Sequence, residues 1–311
     1  MTPAIAMPST RSCGGGRASR SALAGLAAAL ALGGCAAAAG GFVLPQDGNP
    51  EGQARLVAAR ASLARVVYLG ETHDNPVHHA HQARVLQAML RAGARPALAF
   101  EMLTQEQQPE VDEVMRGADG APLDACLRWR ERGWPDFAMY QPLFELALTD
   151  RLPVLAADLD PPTVRRIAKE GLGVLPGAER DRVASRLRPD PEREARLERE
   201  IAEAHCGLLP AAAIPFMAQA WHARNVVMAR HIGQALDEGR RVVVIVGRGH
   251  LDRGGLPDQL HALRPGTRQL IVDFVEAAPG ESLPGPRSSY IRWLTPGVER
   301  GDPCAPLRGP R

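Results

Sequence analysis

A chain of 311 residues, 45% hydrophobic, is long enough to bury a sizeable core in one large domain or in one domain with an insertion. Its 37 basic and 35 acidic residues give a formal charge of +2, but Arg11, Arg17 and Arg20 lie before Cys35 with no acidic residue among them. Without those three, 34 basic residues face 35 acidic ones and the balance is −1, so the basic excess is no nucleic-acid signature.

The three arginines precede an apolar run from Ala22 to Leu32, the pattern of a signal peptide. That run is shorter than the ~20 residues a spanning helix needs. Leu32-Gly33-Gly34-Cys35 carries small residues before a cysteine, which resembles a bacterial lipoprotein precursor with Cys35 as the acylated N-terminus after cleavage. Residues 1–35 are thus expected to be a leader and 36–50, rich in Ala and Gly and then in Pro, Asp and Asn, a tether between lipid and folded body.

Glu51 to Leu63 reads as a short helix and Ala64 to Leu69 as the first strand, an apolar run stopping at Gly70 and followed at once by Glu71, Thr72, His73 and Asp74. Asp74-Asn75-Pro76 has the form of an N-cap with proline in the first turn, opening a helix from Val77 to Arg91. Ala97 to Glu101 is a second short strand, and Thr104 with Gln107 fits a capping box ahead of a helix to Met115. Leu123 to Arg132 and Gln141 to Asp150 read as helices joined by the Trp134-Pro135 turn. Leu152 to Asp158 returns to strand character.

From Pro161 to Leu236 the spacing is helical throughout, with Ile214 to Leu236 the longest element. Arg241 to Gly247 is the clearest buried strand and runs directly into Arg248-Gly249-His250. A helix over Leu256 to Leu263, a strand over Gln269 to Val275 and an edge strand over Tyr290 to Leu294 follow. The expected fold is α/β, a parallel central sheet flanked by helices with a smaller all-helical subdomain. Residues 51–104, 151–160 and 237–295 supply the α/β parts, 105–150 a helical insertion, 161–236 the helical subdomain and 296–311 a loose tail. Beyond Cys35 the cysteines are Cys126, Cys206 and Cys304, without any CxxC; one disulfide would leave one thiol free, and spacing does not choose the pair.

Four apolar runs end in Glu71 with His73, in Glu101, in Asp158 and before His250. Parallel strands put such ends on one rim, where open α/β sheets bind ligands. Two chemistries fit. Glu71, His73 and His250 could hold a divalent metal, or Glu71, His73, Glu101 and His250 could act as general acids, bases and charge stabilisers in a hydrolase. No HExxH, GxSxG or P-loop accompanies them.

Gly70-Glu71-Thr72-His73-Asp74-Asn75 with His78, His79 and Gln82, Phe100-Glu101-Met102, Tyr140-Gln141-Pro142-Leu143, Ala218-Gln219 and Gly247-Arg248-Gly249-His250 together resemble the ChaN-like iron-regulated haem-binding lipoproteins. The resemblance runs from about Ala64 to Ala262. It implies a parallel-sheet domain with a smaller helical one, and haem held at a homodimer interface by a tyrosine from each protomer. It also implies a role in haem acquisition or storage at the periplasmic face of the bacterial outer membrane. The wider group includes erythromycin esterases and TraB-type metalloproteases, which keeps a periplasmic esterase or peptidase as the alternative.

Three tyrosines are available for the implied iron ligand. Tyr68 sits within a strand, Tyr290 near the tail, and Tyr140, ahead of a helix, is the better exposed candidate, with a packing role as its alternative; a phenolate can hold ferric haem. His78 is a further candidate haem contact, while His79 and His81 read as a solvated polar face. His205, Cys206, Met217 and His222 read as packing or capping residues, and Arg224 and Arg230 as surface arginines. The sequence departs from the family pattern at Arg248, where a small polar residue is expected, and at Asp158, where asparagine is usual. A bulky cation at 248 would either block a metal or recognise a carboxylate, such as one belonging to haem.

Overall fold

The computed structural model describes residues 40–305 except 118–121, 186, 188, 189, 282, 287, 288 and 303. The leader, Cys35 and the start of the expected tether lie outside the described residues. The described residues form one compact unit.

In chain order the elements are β1 (Phe42–Leu44), α1 (Pro50–Ala61), β2 (Val66–Glu71), α2 (Pro76–Arg91), β3 (Ala97–Thr104), α3 (Gln108–Met115), α4 (Leu123–Cys126), α5 (Gln141–Thr149) and β4 (Val154–Asp158). They continue as α6 (Pro161–Glu170), α7 (Gly177–Ala184), α8 (Pro191–Ala204), α9 (Ile214–Asp237), β5 (Val242–Gly247), α10 (Leu256–Leu263), β6 (Gln269–Glu276) and β7 (Tyr290–Thr295). The strands form one sheet in the order β1-β7-β6-β2-β5-β3-β4, every pairing parallel. Parallel pairing requires crossovers, and these lay helices on both faces, so the central strands are continuous apolar runs rather than alternating ones.

Alternate side chains on each strand serve opposite cores. Leu69, Phe100 and Ile245 pack with Leu86 of α2 and Phe144 of α5 on one face. Tyr68, Ala99 and Val244 pack with Met228 and Ile232 of α9 and Leu260 of α10 on the other. The helical region after β4 has a small core of its own, in which Ile167, Leu175 and Val183 meet Ala223 and Val227 of α9. Among the described residues no helix is long and apolar enough to cross a membrane.

Several boundaries differ from the sequence reading. The expected tether contains β1, which pairs with β7, so the strand expected at the edge is an interior one. Three residues in a Gly/Ala-rich stretch carry too little pattern to be read as a strand. The helix expected over Leu123 to Arg132 stops at Cys126 because Arg128 takes φ 50°, in the left-handed region. Proline at position 109 confines α3 to a start at Gln108, after a single 3₁₀ turn at Gln105–Gln107. Gln108 then acts as a surrogate neighbour for the edge strand β4, its amide donating to Val154 O at 2.9 Å and accepting from Ala156 N–H at 2.7 Å.

The tail expected to be loose is tied down as far as it is described. Arg300 bridges Asp74 and Glu276 with bonds of 2.6–2.7 Å. Cys304 is disulfide-bonded to Cys206 at the end of α8, leaving Cys126 free.

Candidate functional site

The C-terminal ends of β2, β3, β4 and β5 converge as the sequence suggested, and they bring Glu71, Glu101, Asp158 and Gly247 to one rim. The turn after β2 is fixed by Asn75, whose side chain accepts from Val77 N–H at 2.9 Å and caps α2, with Pro76 at its first position. That cap points His78, His79 and Gln82 back under the rim.

Glu71 is 1% exposed and fully engaged. Its Oε1 accepts from Tyr140 Oη at 2.6 Å and His73 Nδ1 at 2.8 Å, and its Oε2 accepts from Gln82 Nε2 at 2.5 Å. Burial alone would raise its pKa, but His73, His79 and Tyr140 outweigh burial and hold the carboxyl below its ordinary range.

Glu101 is the hub. Its Oε2 accepts from Gly247 N–H at 2.6 Å; its Oε1 accepts from Arg224 Nη2 at 2.7 Å and lies 3.3 Å from His250 Nε2 and 3.8 Å from His73 Nε2. Burial again pushes the carboxyl up, and its interactions with His250, Arg224 and His73 bring it well below the ordinary carboxylate range. Arg224 also donates through Nε to Asp158 Oδ2 at 2.8 Å, so one guanidinium spans the two strand ends. Asn225 Oδ1 accepts from His250 Nδ1 at 2.9 Å, which turns Nε2 of that ring toward Glu101.

His73 is a third exposed and lies against the edge of Trp134, ring centroids 5.1 Å apart. Burial lowers its basicity, but Glu101 and Glu71 prevail and raise its pKa to about 9, so it is a cation at neutral pH. Between Trp134, Arg132 and α6 the rim opens into a cleft of about 270 Å³ reaching Glu101, Asp158 and Arg224.

Several expected roles change. Tyr140, expected to be exposed, is 0% exposed beneath Glu71, between His79 and Trp129. Tyr68 is core, as read, and Tyr290 lies inside β7 with its hydroxyl on Leu251 O at 2.8 Å. His78 is buried: Nδ1 accepts from Thr72 N–H at 2.8 Å, so Nε2–H faces Thr295 Oγ1 at 2.8 Å, and burial lowers its pKa to about 4. His79 and His81 are no solvated face. Both ring nitrogens of His79 face acceptor oxygens, on His73 and on Gln82 with Glu71, and His81 stacks on Trp293 at 4.4 Å.

The metal set Glu71, His73 and His250 is not assembled. Among the described residues no three His, Cys, Asp or Glu side chains could share an ion, because Glu71 is held by Tyr140, His73 and Gln82 while His250 faces Glu101. Arg248 turns to Asp273, with bonds of 3.1 and 3.2 Å, and lines a separate cavity of about 690 Å³ instead of covering the rim. His205 and His222 are capped by Ile201 O and Glu194, and Arg230 reaches Gln105. Arg224, expected at the surface, instead ties Glu101 to Asp158, and Asn225 orients His250. Both lie on one long helix among many arginines, with no local pattern to mark them.

A family model described as haem-binding uptake, Tiki superfamily, ChaN matches residues 57–260. No curated protein matches the sequence. Among solved structures, the chain is similar to ChaN of Campylobacter jejuni, a structure of cofacial haem binding, at 18% identity and TM-score 0.60, covering 75% of this chain and 89% of that one. It is also similar to the type III effector HopBA1, at 15% identity and TM-score 0.44 over 82% and 96% of the two chains. A third is the erythromycin esterase EreC, at 12% identity and TM-score 0.43 over 71% and 72%. Because the family match covers more than half of its length, the chain belongs to the ChaN family of haem-binding uptake proteins in the Tiki superfamily.

Proposed function

We propose that this chain binds haem and serves haem or iron acquisition or storage as a homodimer, anchored through an acylated Cys35 to the periplasmic face of the outer membrane. The family match over residues 57–260 carries the haem reading, and Leu32-Gly33-Gly34-Cys35 after an apolar leader supports the anchor. The cofacial haem binding of Campylobacter jejuni ChaN supports the dimer.

The residues expected to hold the group do not all fit it. Tyr140 and His78 are buried with their polar atoms engaged, so neither presents a ligand to iron. Arg248, paired with Asp273 and with its side chain 44% exposed, is the remaining residue proposed to meet a propionate.

The rim's electrostatics favour binding over turnover. Glu71 and Glu101 are both held below the ordinary carboxylate range and His73 is raised to about 9, whereas a general base works best with a pKa near the operating pH. Titrating the purified full-length protein with haemin tests the reading: a saturable Soret band is expected, and its absence would remove the haem proposal. Ester or peptide turnover that is abolished by Glu101→Gln and His250→Ala would instead establish the hydrolase alternative.

A further inference from the structure

The cleft beside the rim has an apolar side and a cationic side. Trp134, Leu159, Pro161 and Val164 form the first; Arg132, Arg165 and Arg224 bring three guanidinium groups to the second. Arg224 is neutralised by Glu101 and Asp158. Arg132 and Arg165 make no ion pair among the described residues, although Glu106, Asp158 and Glu110 act on Arg132 from a distance. Arg132 donates through Nη2 to the neutral Thr104 hydroxyl at 3.1 Å, and its Nε is buried with no acceptor. Arg165 stands exposed on α6.

A buried donor lacking an acceptor calls for an explanation, and a partner that binds there supplies one. We propose that this cleft receives the carboxylate of an acidic ligand, held by Arg132 and Arg165, with the ligand's short apolar body against Trp134. The planar guanidinium fork matches a carboxylate, and the apolar wall strengthens the contact by excluding water. Glu101 and Asp158 line the same cleft, so a doubly charged phosphate meets more repulsion there than a single carboxylate does.

Size limits the ligand further. At about 270 Å³ the cleft is smaller than the roughly 300–1,000 Å³ usual for drug-sized ligands, so it admits a short acid or one arm of a larger one. The carboxylate therefore has two sources, a free short-chain acid or a propionate of a porphyrin lying outside the cleft.

Calorimetric titration of the purified full-length protein with butyrate, inorganic phosphate, haemin and haemin dimethyl ester separates them. A free acid predicts that butyrate binds and phosphate does not, with about a tenfold loss of butyrate affinity in Arg165→Gln. A propionate predicts about a tenfold loss of haemin affinity both on esterification and in Arg165→Gln, with butyrate silent. Arg132→Gln should act in the same direction and Arg132→Lys should recover part of the loss. Because Arg132 also supports Thr104, the exposed Arg165 provides the variant whose folding is not at issue. Butyrate and haemin affinities that both ignore Arg165→Gln, or phosphate binding more tightly than butyrate, would overturn the proposal. Butyrate binding without any haemin binding would end the haem reading and leave this site standing.

Discussion

The Tyr140 hydroxyl donates to Glu71 Oε1 at 2.6 Å from a position with no solvent exposure, joining the start of α5 to the end of β2. Burial and the Glu71 charge push the phenol far above its ordinary range, so the hydroxyl keeps its proton and its bond to Glu71. Tyr140→Phe should therefore destabilise the fold by about 1–3 kcal/mol, the cost of leaving a buried carboxylate short of a donor, and leave a haemin Soret band unchanged. Urea denaturation and a haemin titration of the variant check both halves. Loss of the Soret band at undiminished stability would restore Tyr140 as a ligand.

Arg224 joins Glu101 and Asp158, both nearly inaccessible to solvent. Replacing it by leucine leaves two carboxylates on a buried rim without their shared cation. Breaking a buried pair in this way costs about 3–5 kcal/mol. The urea midpoint of Arg224→Leu should fall accordingly at pH 7, and the deficit should shrink as the pH is lowered toward the ordinary carboxylate range and the orphaned Glu101 becomes protonated. A deficit independent of pH would show that Arg224 contributes through packing alone.

The strand pattern made the rim legible but not its wiring. Runs such as Val242 to Gly247, buried on both faces, announce interior parallel strands, and the acids closing them could be placed on one edge from topology alone. Partners delivered by helices could not. Arg224 and Asn225 reach the rim from α9, some 120 residues along the chain from Glu101, and a polar residue on a helix carries no mark of which neighbour it will meet. Tyr140 escapes the same logic, because a residue just ahead of a helix looks exposed until the 3₁₀ turn Phe137–Met139 folds it inward. The pairing of Cys206 with Cys304 was equally beyond reach, as it depends on where the tail returns.

His73 carries a pH dependence whose sign is fixed. Its folded pKa of about 9 lies above the ordinary 6.5, so its stabilisation is complete below about 6.5 and is lost as the pH rises through about 9. With the ring a third exposed, the contribution is on the order of 2 kcal/mol after solvent screening. Glu71 and Glu101 run the opposite way: their depressed values give stability that is present above the ordinary 4.5 and lost as the pH falls through the folded values. Denaturation at pH 6 and at pH 9.5 should show the wild type losing stability and His73→Gln nearly level across that interval. Parallel losses in both proteins would place the alkaline transition elsewhere.

Gly247 closes β5 with φ −60°, a conformation open to any residue, so its constraint is space. A Cβ there would lie 2.7 Å from His73 Nε2, 3.0 Å from its Cε1 and 3.2 Å from Glu101 Oε2, whereas at Gly249 it would meet nothing within 4 Å. Gly247→Ala should therefore displace the imidazole from the carboxylates that charge it, at a cost of about 1–3 kcal/mol for overpacking. The His73 titration, followed by NMR of its ring protons, should move from about 9 back toward 6.5, while that of His78, near 4 and anchored by Thr72 and Thr295, stays in place. Gly249→Ala serves as the neutral comparison. An unmoved His73 titration in Gly247→Ala would mean that the ring can keep both carboxylates without the room this glycine leaves.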